Sequence, residues 1–199
     1  MRHAIALAAL VCLGGCATTQ PPASGEIPPG PQRASDDLLA RPDLQALVDA
    51  QVLRDAGPLA AALSDPDPVV RARAALALGS VQAESAVPAL MAALQDSVPA
   101  VRADAAFALG QTADSTVVGF LFLALRSEGT AAAQREMNDA IGKIGSRTDG
   151  DALIRLRLPE AREGDRALAL ARLAMRQRLS PAAFGVLASR LQSDDPELR

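Results

Sequence analysis

Tryptophan and tyrosine are absent from this 199-residue chain, and phenylalanine occurs four times. Sandwiches and barrels draw on aromatic and β-branched residues, so the composition argues against an all-β fold. Histidine appears once, at His3, and cysteine twice, at Cys12 and Cys16. From residue 17 onward there is neither. Zinc-type sites need those ligands, and Ser-His or Cys-His nucleophile pairs need the imidazole; the body is left without either chemistry, and no metal or cofactor is expected. An excess of positive charge is also missing. Twenty basic residues against 23 acidic give a net charge of −3, which argues against a nucleic-acid partner. What the chain does have is alanine, 43 residues in a composition that is 49% apolar. Alanine is the strongest helix former, and that apolar content is too high for wholesale disorder.

The first sixteen residues read as an address. Arg2 supplies a positive start and Ala4 to Leu13 an apolar stretch of signal-peptide length, too short to span a bilayer. Leu13, Gly14, Gly15 and Cys16 then resemble the lipobox of bacterial lipoproteins. That resemblance implies a signal peptide over 1–15 and lipidation of Cys16, which becomes the new N-terminus. Two or more acyl chains give stable anchoring. Ala17, where an Asp often marks inner-membrane retention in such lipoproteins, implies the outer membrane, with the body facing the periplasm. The stretch 16–35 holds Pro21, Pro22, Pro28, Pro29 and Pro31 with no apolar period. It reads as a tether reaching roughly 50 Å at about 3.1 Å per residue.

The rest, 36–199, repeats. The run from Asp65 to Gly79 aligns with Asp96 to Gly110, so that Pro68 meets Pro99, Arg71 meets Arg102 and Gly79 meets Gly110. A weaker copy ends at Ala140, Ile141, Gly142 and Lys143. Copies are expected near 42–64, 65–95, 96–127, 130–158 and 159–192, with another beginning at 193–199. Each reads as two helices. Asp67 can cap the first, Pro68 occupies its opening position, and Gly79 is expected to end it. The second starts near Ser85, with Val87, Leu90 and Leu94 on one face. Its counterpart, Thr116 to Ser127, is apolar almost all round and is expected to be a buried helix. Alanines at 74, 75, 105 and 106 allow close helix approach, and stacking of neighbouring copies makes the core.

The pattern D-P-x-x-x-V-R-x-x-A-A-x-A-L-G, followed by A-V-P-A-L at Ala86 to Leu90, resembles HEAT-like repeats of the type first noted in phycobilin lyases. The resemblance covers Leu38 to Arg199. It implies an all-α fold, a right-handed α-solenoid of about five helical-hairpin repeats, and says little about function. Ala105 to Gln111, and then Ala140 to Lys143, are also similar to the HEAT segment of bacterial lipoproteins that carry a cyclophilin-type peptidylprolyl isomerase domain. That similarity implies isomerase association, although a cyclophilin pocket needs Arg, His and aromatic residues this body does not supply. A bilin-lyase-like enzyme is the third reading.

A non-catalytic scaffold for a protein partner fits the residues best. The row expected to face that partner includes Gln95, Arg126 and Arg155. A locally basic later third, seven arginines against four acids over 151–178, adds Arg172 and Arg176, one turn apart on a helix. Arg71 and Arg102 are expected to bridge to acids of a neighbouring repeat as surface pairs. Lys143, the only lysine, invites a dyad with Ser146 but reads better as a solvated residue at a helix end. Asp65, Asp67, Asp194 and Asp195 read as caps rather than a calcium site. The chain stops just after Pro196 opens a new copy. Either 181–192 caps the array or the protein continues.

Overall fold

The computed structural model describes residues 41–112, 115–156 and 163–192, with the side chains of 163, 190 and 191 set aside. The signal peptide, Cys16, the tether, Asp194, Asp195 and Pro196 lie outside that range. Ten α-helices occupy the described residues, in five consecutive pairs: α1 (Pro42–Val52) with α2 (Ala56–Ala62), α3 (Pro68–Val81) with α4 (Val87–Ala93), α5 (Pro99–Thr112) with α6 (Val118–Ser127), α7 (Ala131–Ile144) with α8 (Arg147–Arg155), and α9 (Glu163–Met175) with α10 (Pro181–Leu191). Short 3-10 turns, Glu84–Ala86 and Ser115–Val117, lead into α4 and α6. The first helices of consecutive pairs stack directly on one another, α3 on α5 on α7 on α9. The result is an all-α solenoid.

Local sequence explains where the helices start. Proline opens α1, α3, α5 and α10, where its missing N–H costs nothing. The Asp67 carboxylate accepts from the Val69 amide at 2.8 Å and Asp55 from the Gly57 amide at 3.0 Å, each satisfying an orphan donor at a helix start. Asp149 closes on both the amide and the hydroxyl of Ser146, at 2.7 and 2.6 Å. This binds Ser146 into the start of α8 rather than into a dyad with Lys143.

One leucine sits at the centre of every second helix: Leu59, Leu90, Leu121, Leu153 and Leu187, all 5% exposed or less. Facing them from the first helices are small or medium residues, Ala74 with Leu78, Ala105 with Leu109, Met137 with Ile141 and Ala169 with Leu173, each essentially inaccessible. Burying a leucine contributes roughly 1.5–3 kcal/mol, and each layer needs the pair before and the pair after to complete it.

Gly79 acts differently from the sequence expectation. Gly79 does not end its helix; α3 continues to Val81 and closes at Gln82, whose φ of 58° is left-handed. Gly79, Gly110 and Gly142 instead lie where consecutive first helices touch. A Cβ on Gly79 would stand 3.0 Å from the Ala108 Cα, one on Gly110 2.9 Å from the Ala140 Cα, and one on Gly142 2.8 Å from the Ala169 Cα. These neighbours are backbone and cannot swing aside, so close packing, not chain reversal, requires glycine.

The second departure is α6. Val117, Val118, Leu121, Ala124 and Leu125 are buried, but Phe120 is 49% and Leu123 61% exposed. The helix is buried along one stripe, not all round.

Candidate interaction surface

The repeat arginines form a ladder between pairs. Arg71 reaches forward to Asp96 through Nε at 2.7 Å and Nη2 at 3.0 Å, and its Nη1 donates to the Asp65 carbonyl at 2.8 Å. Arg102 repeats the geometry, with Nε and Nη2 on Glu128 at 2.6 and 2.9 Å and Nη1 on the Asp96 carbonyl at 2.7 Å. Gln134 holds the next equivalent position, and its side-chain amide donates to the Glu128 carbonyl. Arg166 follows in α9, donating to the Leu156 carbonyl at 2.8 Å. These are not the surface pairs expected. The Glu128 side chain is 1% exposed and Asp96 12%, so water competes little for either. Two bonds from Arg102 and two from Thr130 hold the Glu128 carboxyl down at about 2. Asp96 is likewise held below the usual range by Arg71.

A polar cleft of about 260 Å³ opens beside this ladder, lined by Gln95, Asp96, Arg102, Ser127 and Glu128 among others. Gln95, exposed just past α4, is one wall of it. Arg126 and Arg155 are exposed in the last turns of α6 and α8, where a cation suits the helix dipole. Arg176 is exposed just beyond α9. Arg172 departs from expectation: its Nε lies 2.5 Å from Asp139 of α7, so it ties two repeats together. Lys143 is not simply solvated either. It pairs with Asp139 at 2.8 Å and stands 5.2 Å from the centre of the Phe107 ring. The sequence reading missed Phe120 and Leu123, which stand three residues apart beside Arg126 on the exposed stripe of α6.

The opposite face, made by first helices alone, carries a groove of about 390 Å³ between α3, α5 and α7. Leu76, Ala103 and Phe107 line its floor, with Asp104, Glu136 and Arg135 beside them. Burial and the Glu136 charge push the Asp104 carboxyl up to about 6. Burial and the Asp139 charge also raise Glu136. Reading the sequence passed over both acids, although Arg73, Asp104 and Glu136 recur in the repeat register.

Stacked helical pairs with a glycine seam and an arginine ladder define a HEAT-like α-solenoid. Residues 56–137 match the HEAT repeats family. Among solved structures, the complex of CpcE and CpcF of phycocyanin lyase from Nostoc sp. PCC7120 is similar over 89% of this chain and 77% of that one, with 23% identity and a TM-score of 0.58. At that identity the likeness is one of fold. An engineered protein aligns over 81% of each chain, with 21% identity and a TM-score of 0.43. No curated protein matches the sequence. The repeat type read from Asp65 to Gly79 and Asp96 to Gly110 is thus that of the structure.

Proposed function

We propose that this chain is a non-catalytic protein-interaction scaffold, anchored by lipid at Cys16 to a bacterial envelope membrane and facing the periplasm, with the second-helix face as its docking surface. The observation that carries the reading is the pair Phe120 and Leu123, 49% and 61% exposed on a helix whose Val118, Leu121, Ala124 and Leu125 are buried and whose Phe122 is partly buried. Large apolar side chains clustered in water mark interaction sites. Arg126 beside them adds the kind of residue that anchors interfaces. Residues 17–199 contain no His or Cys, which removes the commonest acid-base and nucleophilic groups.

A photo-crosslinking residue placed at 120 or 123 in cells is expected to trap one protein adduct, and the same residue at Asp49 none. Equal labelling from all three positions, or none, overturns the docking surface. Cys16→Ala should release the chain from membranes and remove a lipid-sized mass from it; a variant that stays membrane-bound with unchanged mass overturns the anchor. The similarity to a lyase subunit supports a second reading, a bilin-lyase-like activity. Under that reading the protein carries bilin when produced together with it, and visible absorbance tracks the chain through purification.

A further inference from the structure

The groove on the first-helix face has a chemistry the scaffold reading does not use. Its floor is apolar and partly aromatic, from Leu76, Ala103 and Phe107, and two carboxylates, Asp104 and Glu136, come to it from successive helices. Among the described residues neither carboxylate takes part in an ion pair, although four cations stand near, one of them, Arg135, in the groove lining itself. Each of those has another partner, although Lys143 also stands over the Phe107 ring. Arg73 Nη2 donates to Gln51 at 2.7 Å, Arg135 pairs with Asp165 at 3.4 Å, Lys143 with Asp139 at 2.8 Å, and Arg172 with Asp139 at 2.5 Å. The fold thus spends its cations around the groove and leaves two half-buried negative charges beside an aromatic ring. The 390 Å³ volume lies at the small end of ligand clefts, roughly 300–1,000 Å³.

We propose that this groove receives an arginine side chain presented by a protein partner, its guanidinium shared by Asp104 and Glu136 and its stem lying along Leu76 and Phe107. Charge complementarity selects a cation, and the arrangement favours arginine over lysine. A planar guanidinium can donate to acids on two helices at once and pack against an aromatic surface, whereas an ammonium is a compact, strongly hydrated point charge. Placing a cation between the acids also offsets the Glu136 repulsion that, after burial, raises the Asp104 carboxyl.

The test uses the full-length protein in nonionic detergent and a fluorescent tetra-arginine peptide, followed by anisotropy. Tetra-citrulline, of the same shape without charge, should bind at least tenfold more weakly. Asp104→Asn with Glu136→Gln should weaken tetra-arginine binding at least tenfold. Asp49→Asn with Glu84→Gln, which removes the same charge from exposed positions elsewhere, should change it less than twofold. Equal losses in the two double variants would reduce the effect to the overall negative charge and overturn the site. Tetra-lysine binding as tightly as tetra-arginine would overturn the guanidinium assignment. A variant-free check is the carboxyl titration of Asp104 by NMR, near 6 in the free protein and expected to fall when tetra-arginine is bound. A midpoint that does not move overturns the proposal.

Discussion

Replacing Arg102 with methionine removes two of the four donors around the Glu128 carboxylate, leaving only the Thr130 amide and hydroxyl. The carboxylate stays buried, and its charge loses its partner. Its ordinary value of 4.5 is depressed to about 2 in the folded chain, with the Arg102 bond as the largest cause. At about 1.4 kcal/mol per tenfold, that depression corresponds to about 3 kcal/mol. This agrees with the roughly 3–5 kcal/mol lost when one partner of a buried pair is removed. Since Thr130 still donates, Arg102→Met is expected to cost about 2–3 kcal/mol at pH 7. At roughly 2–4 °C per kcal/mol for a chain of this size, the melting point should fall by about 5–10 °C. The carboxyl is depressed by folding, so its contribution is complete above 4.5 and fades as pH falls toward 2. Circular dichroism melts at pH 7 and pH 3 should therefore show a gap between wild type and variant that narrows in acid. Adding Glu128→Gln, which removes the stranded charge, should restore part of the loss. The reasoning fails if Arg102→Met lies within about 0.5 kcal/mol of wild type at pH 7, the behaviour of an exposed pair.

Gly142→Ala should destabilise by about 1–3 kcal/mol in urea unfolding, since its Cβ would meet the Ala169 Cα at 2.8 Å and overpacking outweighs the helix propensity gained. Gly119→Ala is the opposite case: nothing lies within 4 Å of the new methyl, and stability should rise by up to about 1 kcal/mol. Asp67→Ala should lower the melting point by a few degrees through loss of the cap on Val69. Asp104 is raised by folding, so the folded chain holds its proton to higher pH. Its penalty is absent well below 3.8 and complete above about 6, and Asp104→Asn should melt higher than wild type at pH 7 with that dependence gone. Phe120→Ser with Leu123→Ser should leave the melting point within a degree or two while abolishing the adduct formed from a crosslinking residue placed at the neighbouring exposed position 126.

Much of the architecture was legible because two copies, Asp65 to Gly79 and Asp96 to Gly110, repeat residue types whose roles are local. A proline at a helix start and an aspartate before it mean the same in one repeat as in five. Gly79 was misread for a physical reason. A glycine that closes a helix and one that admits a neighbour's backbone look alike in a single chain, and only the stacking of Ala108 on Gly79 separates them. The forward reach of Arg71 and Arg102 could be seen in their register, but not their burial, because the acids they meet are 25 and 26 residues away. Arg172 looked free on a basic helix because Asp139 belongs to the preceding pair. Asp104 and Glu136 gave no signal, since an acid on an amphipathic helix looks solvated until the next helix shades it. Phe120 and Leu123 were hidden in a run whose Val117, Val118, Leu121, Ala124 and Leu125 are buried.

The glycine seam also sets how the array bends. Where the Cα of one first helix meets the site of a missing methyl on the next, backbone rests against backbone, with the Phe107 ring close by at Gly79 and the Ala140 methyl at Gly110, so that edge has little room to slide, in the manner of a spine. The second helices lean mainly on the first helix of the following pair and share less contact with one another. Bending strain therefore collects on the second-helix edge, like the pages of a book opening away from its binding. A partner bound at the proposed Phe120 surface would then sit on the edge with room to open, whereas an arginine bound in the proposed Asp104 groove would sit on the closely packed one.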